Sequence, residues 1–277
     1  MRNLHKYEEL FPWEFEKEKE KASIIYLAAG PVEFHEECNA LGIDPLKGYE
    51  WCLKSAEITG GIVFPLLPIA PAGVPPYRKR EGIDSITKGI RMGVFTDRDV
   101  CYALYKDLLD DFVRQGFKMC VFFGSHGPAG AMIKEIVKRE NGESAEGSSS
   151  YKKTAGIYKG MHVMAVGSLD YNMDIVQEEY EKKKIERISH GGMWEAAINY
   201  AINREFFDYS LLDPAKVPQK SGALTEEMYE GCIRPVLSEY RKMSEEFADK
   251  LFRITYERLA EDVKAKYAAI AEGEKKG

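Results

Sequence analysis

The chain has 277 residues, of which 44% are hydrophobic and 30% are charged, and its formal net charge is -6. This composition is typical of a globular protein with a sizeable core, and the negative charge argues against a broad surface for binding nucleic acid. The five cysteines include no CxxC pair, so we expect no disulfide framework, and a reducing cytoplasm fits best.

Neither charged end of the chain resembles a signal peptide. No apolar run approaches the roughly 20 residues that a membrane span needs. We therefore expect no association with a membrane. We expect residues 1–277 to form a single α/β domain with helical extensions at both ends.

Short apolar runs alternate with helical patterns along the chain. The run ASIIYLAAG predicts a buried strand that ends near Ala29, and GYEWCLKSAEITGG predicts a helix closed by Gly60 and Gly61. IVFPLLPIA predicts the next strand, which Pro65 and Pro68 limit to an edge or a loop.

A segment rich in Pro, Gly and Arg, at 71–95, precedes a clear helical pattern. Thr96 and Asp99 resemble a capping box at its start, and Gly116 marks its end. The apolar residues that share one face of this predicted helix are Val100, Leu104, Leu108 and Phe112.

The second half of the chain continues the alternation. FKMCVFFGSHG and GMHVMAVGSLD predict two more strands, and a short helix is predicted between them at about 129–139. The polar segment ENGESAEGSSSYKKTAG is typical of a surface loop or lid. Further helices are predicted around 175–188, 192–204 and 225–264, and Pro235 should bend or divide the last one.

This alternation predicts a mostly parallel sheet with helices on both faces, which is a three-layer α/β sandwich. Ligands of such sheets bind beyond the carboxyl ends of the strands. No GxGxxG and no GxxxxGK[ST] follows a predicted strand, so the sequence offers no dinucleotide or P-loop site.

Potential metal ligands cluster at the ends of the predicted strands and at the start of a helix. In an extended segment residues i and i+2 point to the same side, so the side chains of Glu33 and His35 can reach one point. The side chain of Asp44 can reach the same point after a loop. Each of these residues alone is more often a solvated loop residue, but their coincidence at one edge of a sheet favours a metal site. The full set is Glu33, His35, Asp44, His126, His190 and Glu195.

The ligand types indicate which metals to expect. Carboxylates combined with histidines match divalent ions such as zinc or manganese. A carboxylate that can bridge suggests two ions roughly 3.5–4 Å apart.

The order of these motifs resembles that of the creatininase (creatinine amidohydrolase) family. E-x-H is followed by an Asp nine residues after the His, then by a strand-terminal H-G and by H-x-G-x-x-E, over about 24–203. The resemblance implies a creatininase-like α/β sandwich that hydrolyses a small cyclic or non-peptide amide with metal-activated water. It also implies one or two divalent ions per chain, Zn²⁺ or Mn²⁺ with Fe²⁺ as a further candidate, and a homo-oligomer, often a hexamer.

The resemblance also implies a role for each residue of the set. Some members carry a carboxylate two residues after the strand-terminal His, but Pro128 stands there in this chain, so Glu195 is the remaining candidate. His190 is the implied acid/base residue, with a purely structural role as the alternative. The implied metal ligands are Glu33, His35, Asp44, His126 and Glu195.

Two other functions remain open at this stage. One is a non-catalytic member of the fold that binds a metal or a small ligand, and the other is a hydrolase that processes peptides.

The basic segment at 77–80 could bind an acidic substrate or could be a solvated loop. Trp194 could cover a flat substrate ring or could pack in the core. Oligomerisation is expected from the sheet edges and from an apolar face of the last helix that carries Met243, Phe247, Leu251 and Ile254.

Overall fold

The structure is a computed structural model that describes residues 2–36, 38–71, 93–144, 153–212 and 238–274. Several features of the sequence lie outside these residues. They are the basic segment at 77–80, most of the proposed lid at 141–150, the start of the last predicted helix at 225, and Pro235.

Helices and strands alternate through most of the described chain. The α-helices are α1 (Pro12–Lys21), α2 (Ile43–Thr59), α3 (Arg98–Arg114), α4 (Gly127–Glu140), α5 (Met173–Lys183), α6 (Met193–Ile202) and α7 (Glu245–Glu274). The strands are β1 (Ile24–Ala29), β2 (Val32–Glu33), β3 (Ile62–Val63), β4 (Gly93–Val94), β5 (Met119–Gly124), β6 (Thr154–Tyr158) and β7 (Met161–Gly167).

Five strands form the central sheet in the order β3-β1-β5-β7-β6. The first four are parallel to one another, and β6 pairs antiparallel with β7 at the edge. The predicted mostly parallel sheet is confirmed. The antiparallel strand β6 was not predicted, because its sequence reads as the end of a polar loop.

Helices cover both faces of the sheet, as the predicted α/β class requires. Along β1, residues Ile24, Tyr26 and Ala28 join an apolar cluster with α2, α5, α6 and α7. The alternate residues, Ile25 and Leu27 among them, join a second cluster with α3 and α4 on the other face. This alternation is the two-residue period of a strand that is buried on both sides.

Two helix starts differ from the sequence-based expectation. Helix α2 begins at Ile43 rather than near Gly48, so Asp44 lies in its first turn and not in a loop. At α3 the residue before the helix is Asp97, whose carboxylate accepts from the N–H of Asp99 at 2.9 Å, so the capping box predicted from Thr96 was wrong.

The predicted apolar face of α3 was wrong at Val100, and its buried centre lies beside the predicted residues. Val100 is 56% exposed, whereas Cys101, Tyr105, Leu109 and Phe112 are buried. Leu104 and Leu108 pack at the margin of the same cluster.

The C-terminal helix covers the sheet instead of offering a free apolar face. Phe247 and Leu251 are buried in the chain's own core, with Met243 and Ile254 packed against it. These residues therefore give no reason to expect an oligomer. The helix also runs to Glu274, ten residues further than predicted, and a turn at 241–244 separates it from the preceding helical residues. None of the described helices is long and apolar enough to cross a membrane.

The edge strand β3 is covered by the N-terminal segment. The N–H of Val63 donates to the carbonyl of His5 at 2.7 Å, and Lys6 forms a parallel bridge with Val63. At the opposite edge, Ile157 of β6 is 48% exposed.

The end of β5 lies in close contact with α4. A Cβ placed on Gly124 would stand 2.2 Å from the Cα of Gly130 and 2.4 Å from its nitrogen. Both atoms belong to backbone, which cannot move aside as a side chain can. The missing side chain therefore sets how closely the helix packs against the strand.

We expect Gly124→Ala to lower the free energy of unfolding by roughly 1–3 kcal/mol, because it overpacks this contact. Chemical denaturation measures the change. Gly273→Ala is the matched control, since a Cβ on Gly273 meets nothing within 4 Å and alanine favours a helix over glycine. Equal stability of the two variants would contradict the close packing of β5 and α4.

Candidate metal centre

The candidate site lies at the carboxyl ends of the neighbouring strands β1 and β5. The chain leaves β1 at Ala29 and reaches Glu33 at the end of β2, and it leaves β5 at Gly124 and reaches His126 just before α4. Ser125 joins the two strand ends, because its N–H and its Oγ both donate to the carbonyl of Ala29, at 3.0 and 2.9 Å. Strands β3 and β5 flank β1 on opposite sides, so this is a topological switch point, where ligands of open α/β sheets bind.

All six residues singled out in the sequence meet at this point. They form three overlapping groups whose nitrogen and oxygen atoms lie within 4.8 Å of one another. Glu33, His35 and Asp44 each belong to two groups, which makes the three groups one centre. The groups are Glu33, His35 and His190; Glu33, Asp44 and His126; and His35, Asp44 and Glu195.

The second group has the features of a metal site. His126 Nδ1 lies 3.2 Å from Glu33 Oε2 and 3.2 Å from Asp44 Oδ2. These two buried oxygens have no hydrogen-bond partner. Buried polar atoms normally have partners, so these orphaned atoms indicate a ligand.

The spacing within this group also fits a metal ion. A tetrahedral ion with bonds of 2.0–2.1 Å holds its ligand atoms about 3.3 Å apart, close to the two distances of 3.2 Å at His126. Two carboxylates and an imidazole are ligands that zinc and manganese accept. Glu33, Asp44 and His126 therefore fit a divalent ion.

The third group contains a buried cation that the sequence analysis missed. The ammonium of Lys47 lies 2.7 Å from Asp44 Oδ1 and 2.6 Å from Glu195 Oε1. His35 Nε2 is 3.6 Å from the same two oxygens. The Lys47 side chain is 1% exposed, and its ammonium lies 5.1 Å from the centre of the Trp194 ring.

The sequence did contain a signal for Lys47. It stands three residues after Asp44, and residues i and i+3 share one face of a helix. The signal was lost because the helix was expected to start at Gly48, which left Lys47 in a loop.

A hydrogen-bond network behind the centre fixes the loops that carry it. Asn39 donates to the carbonyl of His35 at 2.7 Å and to the hydroxyl of Tyr240 at 2.9 Å. The Tyr240 hydroxyl in turn donates to the carbonyl of Gly191. The N–H of Gly191 donates to Glu195 Oε2 at 2.8 Å, so the network reaches a carboxylate of the site.

His190 is the open member of the centre. Its side chain is 44% exposed, and its ring centre lies 4.2 Å from that of His35. Nε2 lies 2.9 Å from the carbonyl oxygen of Phe34 and 4.0 Å from Glu33 Oε1. A carbonyl only accepts, so Nε2 carries a hydrogen and Nδ1 is the nitrogen that can exchange a proton.

The carboxylates favour protonated imidazoles. Burial alone would lower the pKa of His35, but Asp44 and Glu195 raise it to about 9. Burial would also lower the pKa of His126, but Glu33 and Asp44 raise it to about 10. A divalent ion that binds His126 must therefore displace a proton.

The carboxylates themselves are stabilised in their charged form. Burial would raise the pKa of Asp44 and of Glu195, but the charges of Lys47 and His35 hold both well below the usual range. Burial would lower the pKa of Lys47, but Asp44 and Glu195 raise it above its usual value. Lys47 is therefore an ammonium ion at any physiological pH.

Other candidates from the sequence offer no ligand atom to the centre. Trp194 is buried and its Nε1 donates to the carbonyl of Ser189 at 3.1 Å, so the core-packing interpretation is confirmed. Cys38 is buried in the same apolar cluster. His162 lies on β7, and His5 Nδ1 is 2.9 Å from the carbonyl oxygen of Gly61.

A family profile matches most of the chain. The creatininase family profile, described as creatinine amidohydrolase, matches residues 8–263. No significant match was found among curated proteins.

Solved structures of creatininases share the fold. A mutant creatininase of Zn-Zn type superposes with a TM-score of 0.68 at 16% identity, over 96% of this chain and 99% of the other. A manganese creatininase gives 0.65 at 18% identity, over 95% and 98%. A mutant creatininase complexed with creatine gives 0.64 at 16% identity, over 96% and 99%. The match of the family profile to most of the chain, together with this fold, shows that the protein belongs to the creatininase family.

Proposed function

We propose that the protein is a metal-dependent amidohydrolase that hydrolyses a small cyclic or other non-peptide amide. The observation that carries the proposal is the pair of buried, unpartnered oxygens, Glu33 Oε2 and Asp44 Oδ2, that face His126 Nδ1. A divalent ion bound there would activate water and polarise a carbonyl group.

The relatives support this choice of chemistry. Creatininases of the same fold are known as zinc and manganese forms, and one is complexed with creatine, a small molecule. We infer that Zn²⁺ or Mn²⁺ binds this chain, with Fe²⁺ as a further candidate, and that the substrate is a small molecule. Whether His35 and Glu195 are ligands too depends on the number of ions.

His190 is suited to carry a proton during the reaction. It is partly exposed, whereas Glu33 and His35 beside it are 1% exposed. With Nε2 held by the carbonyl of Phe34, Nδ1 can deliver a proton to a leaving nitrogen and recover one from solvent. We therefore assign His190 the role of general acid/base and not that of a ligand.

Enzymatic activity is tested with a panel of amides and lactams that includes creatinine. Turnover of a small amide by the metal-loaded protein is the expected result. Turnover of peptides alone would favour the peptide-processing alternative. Stoichiometric metal with no turnover on either panel would favour the non-catalytic alternative.

The first prediction of this proposal concerns metal content. Protein purified without chelator should contain at least one Zn, Mn or Fe per chain by elemental analysis. Glu33→Ala, Asp44→Ala and His126→Ala should lose that ion, because each removes a ligand atom. His162→Gln, a histidine variant outside the centre, should keep it. Wild-type protein that binds none of these ions on reconstitution would contradict the whole assignment.

The second prediction separates a ligand from an acid/base residue. His190→Asn should keep its metal while turnover falls by roughly 10²–10⁴-fold, the usual effect of losing a general acid/base group. Elemental analysis and steady-state kinetics on the same preparation measure both. Loss of metal would identify His190 as a ligand, and full activity would mean that another group carries the proton.

The third prediction concerns assembly. We propose a homo-oligomer, with a hexamer as the form expected from the family resemblance, and the β6 edge with its exposed Ile157 as one surface available for contact. Light scattering at micromolar concentration should give a multiple of 31.4 kDa. A monomer would contradict it. A cytoplasmic location belongs to the same proposal and agrees with the four described cysteines, which are buried and form no disulfide with one another.

A further inference from the structure

We propose that the centre binds one divalent ion, at Glu33, Asp44 and His126, and that the ammonium of Lys47 takes the place of a second. This inference rests on the proposed function in one respect, namely that the centre holds a metal at all. It adds the number of ions, their position and the residue that sets the number.

Lys47 uses the atoms that a second ion would need. An ion in the group of His35, Asp44 and Glu195 would be bound through carboxylate oxygens that face the group. Asp44 Oδ1 and Glu195 Oε1 face it, and both already contact the Lys47 ammonium at 2.7 and 2.6 Å. A second ion would have to displace the ammonium or bind next to it, where the two positive charges repel each other.

The two oxygens of Asp44 divide the centre into two halves. Oδ1 contacts Lys47, whereas Oδ2 faces His126 at 3.2 Å and has no hydrogen-bond partner. The unpartnered Oε2 of Glu33 lies in this same half, 3.2 Å from His126 Nδ1. In the Lys47 half, Glu195 is satisfied at both oxygens, by Lys47 and by the N–H of Gly191. The carboxylate charge in the Lys47 half is thus already compensated. The carboxylate oxygens in the His126 half lack such a partner and fit a cation.

The packing around Lys47 holds its ammonium in place. The side chain is 1% exposed and its nitrogen lies over the Trp194 ring, a favourable arrangement for a cation. The next residue, Gly48, leaves no space for a shift of the helix, because a Cβ there would stand 2.8 Å from Ser125 Cβ. Moving the ammonium away from its two carboxylates would bury it without a partner, which is very costly.

Charge balance favours the same count. Three carboxylates in the centre, those of Glu33, Asp44 and Glu195, are buried. Lys47 and a single divalent ion supply three positive charges, which equals the charge of the three carboxylates. A second divalent ion would leave an uncompensated double positive charge in a buried site, which is unfavourable.

The experiment counts the ions directly. Wild-type protein is dialysed to equilibrium against excess Zn²⁺ and analysed for zinc per chain, and a parallel Mn²⁺ sample is examined by electron paramagnetic resonance. We expect one zinc per chain and the signal of an isolated Mn²⁺ ion. Two ions per chain, or the signal of a coupled manganese pair, would overturn this inference and leave the proposed function standing. No bound ion would overturn both.

Variants of Lys47 test whether the ammonium sets the count. Lys47→Ala should raise the stoichiometry from one to two zinc ions, because it frees Asp44 Oδ1 and Glu195 Oε1. Lys47→Arg is the matched control, which keeps a cation and should stay at one. A folded Lys47→Ala protein that still binds a single ion would overturn the role given to the lysine.

A variant of Glu195 keeps the inference testable if Lys47→Ala does not fold. Glu195→Gln in the wild-type background should keep the single zinc ion, because Glu195 contacts Lys47 and not the ion. Glu33→Gln should lose it. Loss of zinc from Glu195→Gln would show that Glu195 is a ligand and would overturn the inference.

Discussion

The centre depends on one electrostatic constraint, which is that buried carboxylates must be neutralised. Glu33, Asp44 and Glu195 come from three different segments and are almost fully buried. Such a cluster is stable only when cations lie among the oxygens. Lys47 supplies one cation from within the chain, and the protonated histidines supply others, of which His126 gives up its proton when a metal binds it. The buried carboxylates of the centre therefore favour the binding of positive charge there.

The sheet explains why these residues meet. Strands β1 and β5 are adjacent and parallel, so the segments that follow them emerge side by side. Ser125 joins these segments, and the close contact of Gly124 with Gly130 brings α4 and His126 to the edge of the sheet. The position of the centre follows from strand order, while its chemistry follows from the loops.

Much of this could be predicted from the sequence, because the ligand types and their spacing after apolar runs carry the information. Most of what failed depended on tertiary packing, and one failure was local. The start of α2 was missed because Pro45 and Gly42 look like loop residues, yet proline is tolerated in the first turn, where its missing N–H is not needed. This one error concealed Lys47. The face of α3, the strand β6 and the use of the α7 apolar face are decided by neighbours distant in the chain, and no local pattern contains them.

The link from Asn39 to Tyr240 has a consequence for the order of events during synthesis. These residues are 201 positions apart, and the same tyrosine holds the carbonyl of Gly191. Before Tyr240 has been synthesised, the loops at the ends of β1 and β5 can already have formed, but the network behind them is incomplete. The final geometry of the centre is thus reached only after Tyr240 has joined the folded chain, so this contact between distant segments must form before the centre is complete.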